Sequence, residues 1–334
     1  MIISRTPFRV SLFGGGTDYP TWYKEHGGAV IGTAINKYCY INIRTLPPFF
    51  SHKHRIVYSD IELVDKISEI RHPVVRAILG EIDSDRGFEI HHDGDLPARS
   101  GLGSSSAFTV GMLNAMAAFE GRTISANRLA REAIRIEQEV LKENVGAQDQ
   151  IWAAYGGTNL IEFRQDGTFH VTPIIMTPKR RLEIQSHLLL FFTGFSRFAS
   201  NIAGKQIENM DRRAQEMRGI REIVDTALEV LQDTGRSITE IGSLLHESWE
   251  LKRSLADEVS SEVIDDIYRA GRDAGAVGGK LLGAGGGGFM LFFAEPEHHA
   301  AIRERLSQLI EVDIEIGAQG SKVVIYEPDG LQHS

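Results

Sequence analysis

Runs of β-branched and aromatic residues bounded by glycine, proline or polar clusters recur along the chain. They predict strands at Tyr40–Thr45, Phe88–His92, Thr158–Phe163, His187–Thr193, Gly288–Ala294 and Lys322–Tyr326. Apolar residues recurring at three and four predict helices at Ser105–Glu120, Ser125–Lys142, Met217–Gln232, Glu262–Ala274 and Pro296–Ile310. The third is the clearest: Ile220, Ile223, Val224, Ala227, Leu228 and Leu231 make one stripe with charges between them. Strands and helices mix without a regular βαβ alternation, so the pattern reads as α+β rather than a doubly wound sheet.

Thr172–Arg181, with Pro173, Pro178 and the basic triplet Lys179, Arg180 and Arg181, breaks the pattern between two strands and marks a boundary. This gives two domains, 1–178 and 179–334. No internal repeat stands out, and the tail after Glu327 reads as frayed.

Composition narrows the class. The 334 residues are 42% hydrophobic and 24% charged, with a formal net charge of −9. That balance gives no basic field for nucleic acid or an anionic membrane. No run approaches the ~18 apolar residues of a membrane helix, and Arg5 and Arg9 interrupt any leader-like stretch. The single cysteine, Cys39, rules out an intramolecular disulfide and fits a reducing cytoplasm, with Cys39 itself a small core residue. The histidines, His91 and His92 included, lack metal-ligand spacing.

Chemistry concentrates in four segments. Leu96–Ala107 (LPARSGLGSSSA) sets Gly101 and Gly103 before three serines and an apolar helix, with Ser104 as its expected N-cap. The open N–H groups of such a helix start suit a di- or triphosphate, although a plain turn and cap explains the same letters. It is no Walker loop: Gly279-Lys280 is followed by Leu281. Pro7–Tyr19 runs from a strand-like stretch into Gly14, Gly15 and Gly16, then Thr17 and Asp18. That loop offers N–H groups and a carboxylate to a polyol and lacks the spacing of a dinucleotide fingerprint.

In Arg135–Gln150, Glu137 lies on a helix and Asp149 follows Gly146 between apolar neighbours, where a carboxylate needs a partner and can serve as a base. Gly285–Gly288 directly precede a buried strand, which calls for close approach of a ligand or another backbone.

These segments, in this order, resemble the GHMP kinase superfamily. The stretch Pro97-x-x-x-Gly101-Leu102-Gly103-Ser104-Ser105-Ser106 is similar to that family's phosphate loop, and Gly283–Gly288 to its third motif. Gly14–Pro20, Gly27–Val30, Ile35–Tyr38 and Phe192–Arg197 most resemble the branch of sugar-1-kinases acting on D-glycero-D-manno-heptose 7-phosphate, with the fucokinase branch close.

The resemblance implies a two-domain α+β fold with its active site in the cleft between domains. It implies ATP and a sugar phosphate as substrates, Mg²⁺ as cofactor, and a product feeding surface polysaccharide; a homodimer is compatible with it. It makes Asp149 the catalytic aspartate, with Arg9 beside it. Pro97, Gly101, Leu102, Gly103, Ser104, Ser105 and Ser106 become the nucleotide cradle, and Ser105 and Glu137 the metal ligands. Asp18, with Gly15, Gly16 and Thr17, aligns with the sugar side. For a 7-phosphate the candidate donors are Lys280, Arg197, Ser196 and the N–H groups of Gly285, Gly286 and Gly287. Galactokinases carry Glu-His where this chain has Gly15-Gly16, which speaks against galactose. From another class, the alternative is a sugar-sensing regulator on the same fold that has lost its chemistry.

Overall fold

In the computed structural model, residues 1–82, 85–98, 100–194 and 199–328 are described, without the side chains of 199–201. The expected Arg197 and Ser196 lie outside these residues.

The strands are β1 (Ile2–Phe13), β2 (Gly28–Thr45), β3 (His54–Val57), β4 (Ile61–Val64), β5 (Phe88–Gly94), β6 (Thr158–Phe163) and β7 (Phe169–Pro173), then β8 (Leu188–Phe192), β9 (Gly278–Leu281), β10 (Phe289–Phe293), β11 (Ile310–Glu311) and β12 (Lys322–Tyr326). The first sheet runs β12-β1-β2-β5-β3-β4, with β6 on β2 and β7 on β6; the second runs β11-β8-β10-β9. β2 is 18 residues long, so it pairs with β1 on one edge and serves two neighbours on the other. Gly28–Thr33 pair with β6 and Cys39–Thr45 with β5.

Helices Ser104–Phe119, Gln148–Tyr155 and Ala214–Gln232 pack on β1 and β2. The first of these sits close because Gly111 leaves room: a Cβ there would lie 2.9 Å from Thr6 Oγ1, and Ser4 Oγ donates to Gly111 O at 2.8 Å. In β8 and β10 both faces are buried. Leu190, Phe289, Leu291 and Phe293 join the main core, while Leu189, Phe191, Met290 and Phe292 join a second core with Trp249, Ile264 and Tyr268. That two-sided burial is why these strands read as unbroken apolar runs.

The chain does not divide cleanly at 178/179. β12 returns to pair antiparallel with β1, Ile2 opposite Tyr326, and Ile316 and Gln319 bridge to Ile35 and Gly156. The C-terminal segment therefore belongs to the first sheet, which corrects a second domain drawn as 179–334. Nor is Arg180 a linker charge. It is buried, and its guanidinium donates to the carbonyls of Val230, Asp233 and Arg236, capping the C-terminal end of helix Ala214–Gln232. Among the described residues no helix is long and apolar enough to cross a membrane.

Two expected helices are interrupted. The one expected at Ser125–Lys142 is α-helical only over Ala126–Ile134, then widens to a π turn, Arg135–Val140, with Lys142 at φ 55°. The stretch expected as a helix at Pro296–Ile310 is a short 3₁₀ turn, then helix His299–Arg305, and Ile310 pairs with Phe192 in β11.

Candidate active site

A cavity of about 170 Å³ opens where the two glycine loops, β1 and the helix Gln148–Tyr155 meet. Arg9 comes from β1, Asp149 from the first turn of that helix. The guanidinium grips the carboxylate with two parallel bonds, Nε to Oδ1 and Nη2 to Oδ2, both 2.7 Å. Its Nη1 donates to Gly101 O at 2.6 Å, and the Arg9 N–H donates to Leu102 O at 3.1 Å. The acid is thus fixed directly against the phosphate loop. A bidentate pair of this kind sets orientation as well as charge.

The loop's glycines are required by contact. Gly101 has φ 82°, and a Cβ there would meet Leu282 O at 2.4 Å; one on Gly283 would meet Gly101 Cα at 2.5 Å. The second glycine loop packs its backbone onto the first. Gly103, at φ 74°, is the residue before the helix, so the N-cap is Gly103 and not Ser104 as expected. Gly101, Gly103, Ser104, Ser105 and Ser106 line the cavity. Leu102 is buried beneath the loop as a core residue, and Pro97 is exposed; neither lines the cavity.

Glu137 is fully buried and does not line the cavity. The π turn carries it under the helix start, where Thr109 Oγ1 donates at 2.7 Å, Ser106 Oγ at 2.8 Å, and Gln150 Nε2 adds a third bond. Local widening of a helix often marks a functional position. Burial pushes its carboxyl up to about 7, although the three donors pull the other way. The serine hydroxyl that touches Glu137 is that of Ser106, while Ser105 lines the cavity. Among the described residues no cation pairs with this carboxylate. Its chemistry suits Mg²⁺: a buried carboxylate held only by neutral donors, beside two serine hydroxyls, is a set of hard oxygens.

Asp18 faces the same cavity from the first loop and is 1% exposed. Gly16 N–H donates to Oδ1 at 2.9 Å, and Gln148 N–H to Oδ2 at 3.4 Å. Burial raises its carboxyl above the usual range, and the neighbouring Asp149 adds to this. Gly146 packs so closely that a Cβ there would lie 1.8 Å from Asp18 Oδ2. Gly15 and Gly16 line the cavity; Thr17 does not. Its hydroxyl lies 2.8 Å from Gly14 O and 2.9 Å from Ala29 O, so Thr17 ties the loop to β2 and is structural.

Two lysines complete the site. Lys280, on β9, is 3% exposed and donates to Leu12 O at 2.9 Å; burial first, then Lys252 and Arg9, pull its ammonium well below the ordinary lysine range. Lys252, in the last turn of helix Thr239–Arg253, was not among the sequence candidates. It donates to Gly283 O, and burial lowers it to about 8, with Arg9 adding to the fall while Asp18 and Asp149 oppose it. A chain of net charge −9 brings three basic side chains to one cavity beside two acids. Gly285, Gly286 and Gly287 do not line it. Gly285 abuts the Val259 backbone, where a Cβ would lie 2.7 Å from Val259 Cα, and Gly286 N–H donates to Val259 O at 3.0 Å. Gly285 thus has a packing reason of its own against Val259.

A glycine-rich helix start, a clamped aspartate beside it and buried cations define a phosphotransferase site. The chain belongs to the GHMP kinase family: residues 68–157 match the GHMP kinases N terminal domain and 227–311 the GHMP kinases C terminal domain. More particularly, it is 29% identical to the D-glycero-alpha-D-manno-heptose 7-phosphate kinase of Campylobacter jejuni, over 88% of this chain and 90% of that protein. It is 27% identical over 93% of its length to the bifunctional fucokinase/GDP-fucose pyrophosphorylase of Arabidopsis thaliana, of which it spans 31%. A solved D-glycero-D-manno-heptose 1-phosphate kinase from Bacteroides thetaiotaomicron superposes with a TM-score of 0.79 at 25% identity, covering 98% of this chain and all of that one.

Proposed function

We propose that this kinase transfers the γ-phosphate of ATP to the anomeric C1 hydroxyl of D-glycero-D-manno-heptose 7-phosphate, giving the 1,7-bisphosphate and ADP. The observation that carries the reading is the Asp149 carboxylate, clamped by Arg9 against Gly101 and facing Asp18 across one cavity. The likeness to the Campylobacter jejuni enzyme, over nearly the whole of both chains, favours the heptose phosphate over other sugars.

The triphosphate lies at the start of helix Ser104–Phe119, where the first-turn N–H groups and the positive end of the dipole favour anions. Asp149 accepts the proton of the C1 hydroxyl as the O1–Pγ bond forms and the bond from Pγ to the bridging β,γ oxygen breaks, and ADP departs with that electron pair. Arg9 holds the carboxylate in line. Lys252, bonded to the glycine that packs on Gly101, opposes the charge of the moving phosphoryl group. Asp18 takes sugar hydroxyls, and Lys280 is the described cation left for the 7-phosphate. Bound Mg²⁺, which Ser105, Ser106 and Glu137 would hold, supplies charge neutralisation on the phosphates.

Coupled ATP turnover across D-glycero-D-manno-heptose 7-phosphate, sedoheptulose 7-phosphate, mannose 6-phosphate, L-fucose and galactose tests this. Preferential turnover of the manno-heptose phosphate, with the new phosphate on C1, is expected. Preference for L-fucose would discard the 7-phosphate, and ATP binding without turnover of any sugar would favour the regulator.

A further inference from the structure

Two side-chain oxygens in the cavity have no partner among the described residues. Ser11, on β1, is 6% exposed and its Oγ is unbonded; Gln148 is 9% exposed and its Oε1 is unbonded. Both line the cavity and flank one spot: a Cβ on Gly15 would lie 3.4 Å from Ser11 Oγ and 3.7 Å from Gln148 Nε2. A buried carbonyl left without a donor is destabilising, and folded proteins keep few such groups. Packing alone does not ask for these oxygens, since alanine for Ser11 and methionine for Gln148 come close in volume without an unmet bond.

Their positions say what they await. Gln148 immediately precedes Asp149, and its N–H donates to Asp18. Gln148 therefore shares its cavity wall with both the acid that takes the reacting proton and the acid on the sugar side. An amide carbonyl only accepts, so its partner is an O–H or N–H of the ligand. We infer that Gln148 and Ser11 are specificity-determining residues that read the hydroxyl on the carbon next to the reacting one, so that this kinase requires an acceptor with a vicinal diol. The inference rests on the sugar-kinase reading but not on the heptose assignment: for an anomeric acceptor the hydroxyl read is that on C2.

A site built to hydrogen-bond a substrate hydroxyl rejects the analogue lacking it, because its own polar groups are then left unpaired. The test takes whichever sugar of the panel is turned over best and its analogue deoxygenated next to the phosphorylated carbon. In the wild type, kcat/KM for the deoxy analogue should fall at least ~100-fold. In Gln148→Met, close in volume and without the carbonyl, the ratio between parent and analogue should shrink to within ~10-fold, mainly through loss on the parent. Ser11→Ala should shrink it part of the way. The ratio is a readout that a structural role would not move, and thermal melting of each variant separates it from misfolding. Equal turnover of parent and analogue by the wild type would leave Gln148 bonded to water and overturn the inference, as would an unchanged ratio in Gln148→Met. Preference for a sugar other than the heptose phosphate, with the ratio as expected, would sink the heptose assignment alone. Turnover of no sugar would overturn the kinase reading and this inference with it.

Discussion

Lys252→Met should make the protein more stable and nearly inactive. Lys252 is buried and has one protein hydrogen bond, to Gly283 O. Its ammonium is lowered from 10.5 to about 8, chiefly by burial and then by Arg9, with Asp18 and Asp149 only partly compensating. At about 1.4 kcal/mol per pKa unit, the charged form costs the fold about 3 kcal/mol. The sign follows from a depressed folded-state value. The penalty is absent above the unfolded lysine pKa, grows as pH falls toward 8, and is complete below it. Methionine carries no charge at any pH, and loses a hydrogen bond worth about 1 kcal/mol. At pH 7 the variant should gain about 2 kcal/mol, or roughly 3 °C in melting temperature for a chain of this length. Above pH 10.5 the difference should reverse sign, with the variant the weaker by about 1 kcal/mol. Turnover should fall about 100–1000-fold, the scale for removing one charge-stabilising donor. Paired thermal melts at pH 7 and 10.5, with initial rates at pH 7, read all three. A variant that melts lower than wild type at pH 7 yet turns over normally would refute both the electrostatics and the assigned role.

Asp149→Asn should bind ATP as the wild type does and turn over at least ~100-fold more slowly; wild-type rates would remove it as the base. Glu137→Gln should still fold, because the Thr109 hydroxyl, 3.2 Å from Ser105 O, can turn there and accept from the new amide. Its Mg²⁺ requirement, read by titrating initial rates, should rise on the order of 10–100-fold, and an unchanged titration would take Glu137 out of the metal site. Gly101→Ala forces a Cβ onto Leu282 O at φ 82°, and urea unfolding should show a loss of about 1–3 kcal/mol; an unchanged midpoint would contradict the loop-on-loop contact. Lys280→Met should raise KM for the sugar phosphate more than for ATP, and equal effects would detach Lys280 from the sugar side.

What the sequence made legible was local. β6 and β12 fall where their β-branched patterns put them, Thr158–Phe163 and Lys322–Tyr326. The phosphate loop, Arg9, Asp18 and Asp149 stand in short motifs whose letters carry the chemistry. The first half of β2 escaped because it is buried on both faces and shows no alternation. Helix Thr239–Arg253 escaped for another reason: its buried positions include Gly242, Ser248 and Lys252, which break the apolar stripe. Lys252 went unseen with it. Signals did exist, in Ile241, Leu245 and Trp249 at four-residue spacing, but only a partner sheet explains the glycine among them. A Cβ on Gly242 would meet Val277, and one on Gly278 would lie 1.8 Å from Gly242 O. The packing of Gly285 on the Val259 backbone was not legible, because backbone contact and ligand contact ask for the same residue.

The same contacts explain how distant segments hold a reaction geometry. Arg9 bonds Asp149 and Gly101; Gly101 abuts Leu282 and Gly283; Gly283 O takes Lys252. Every link but the first is to a backbone atom, so the distance from the base to the cation is set by main-chain packing rather than by flexible side chains. Helix Thr239–Arg253 also touches β1, which fixes the helix against the strand that supplies Arg9. A Cβ at Gly101 or Gly283 therefore acts at a distance. It would push the cation-bearing helix away from the acid without touching either group, lowering turnover through geometry alone.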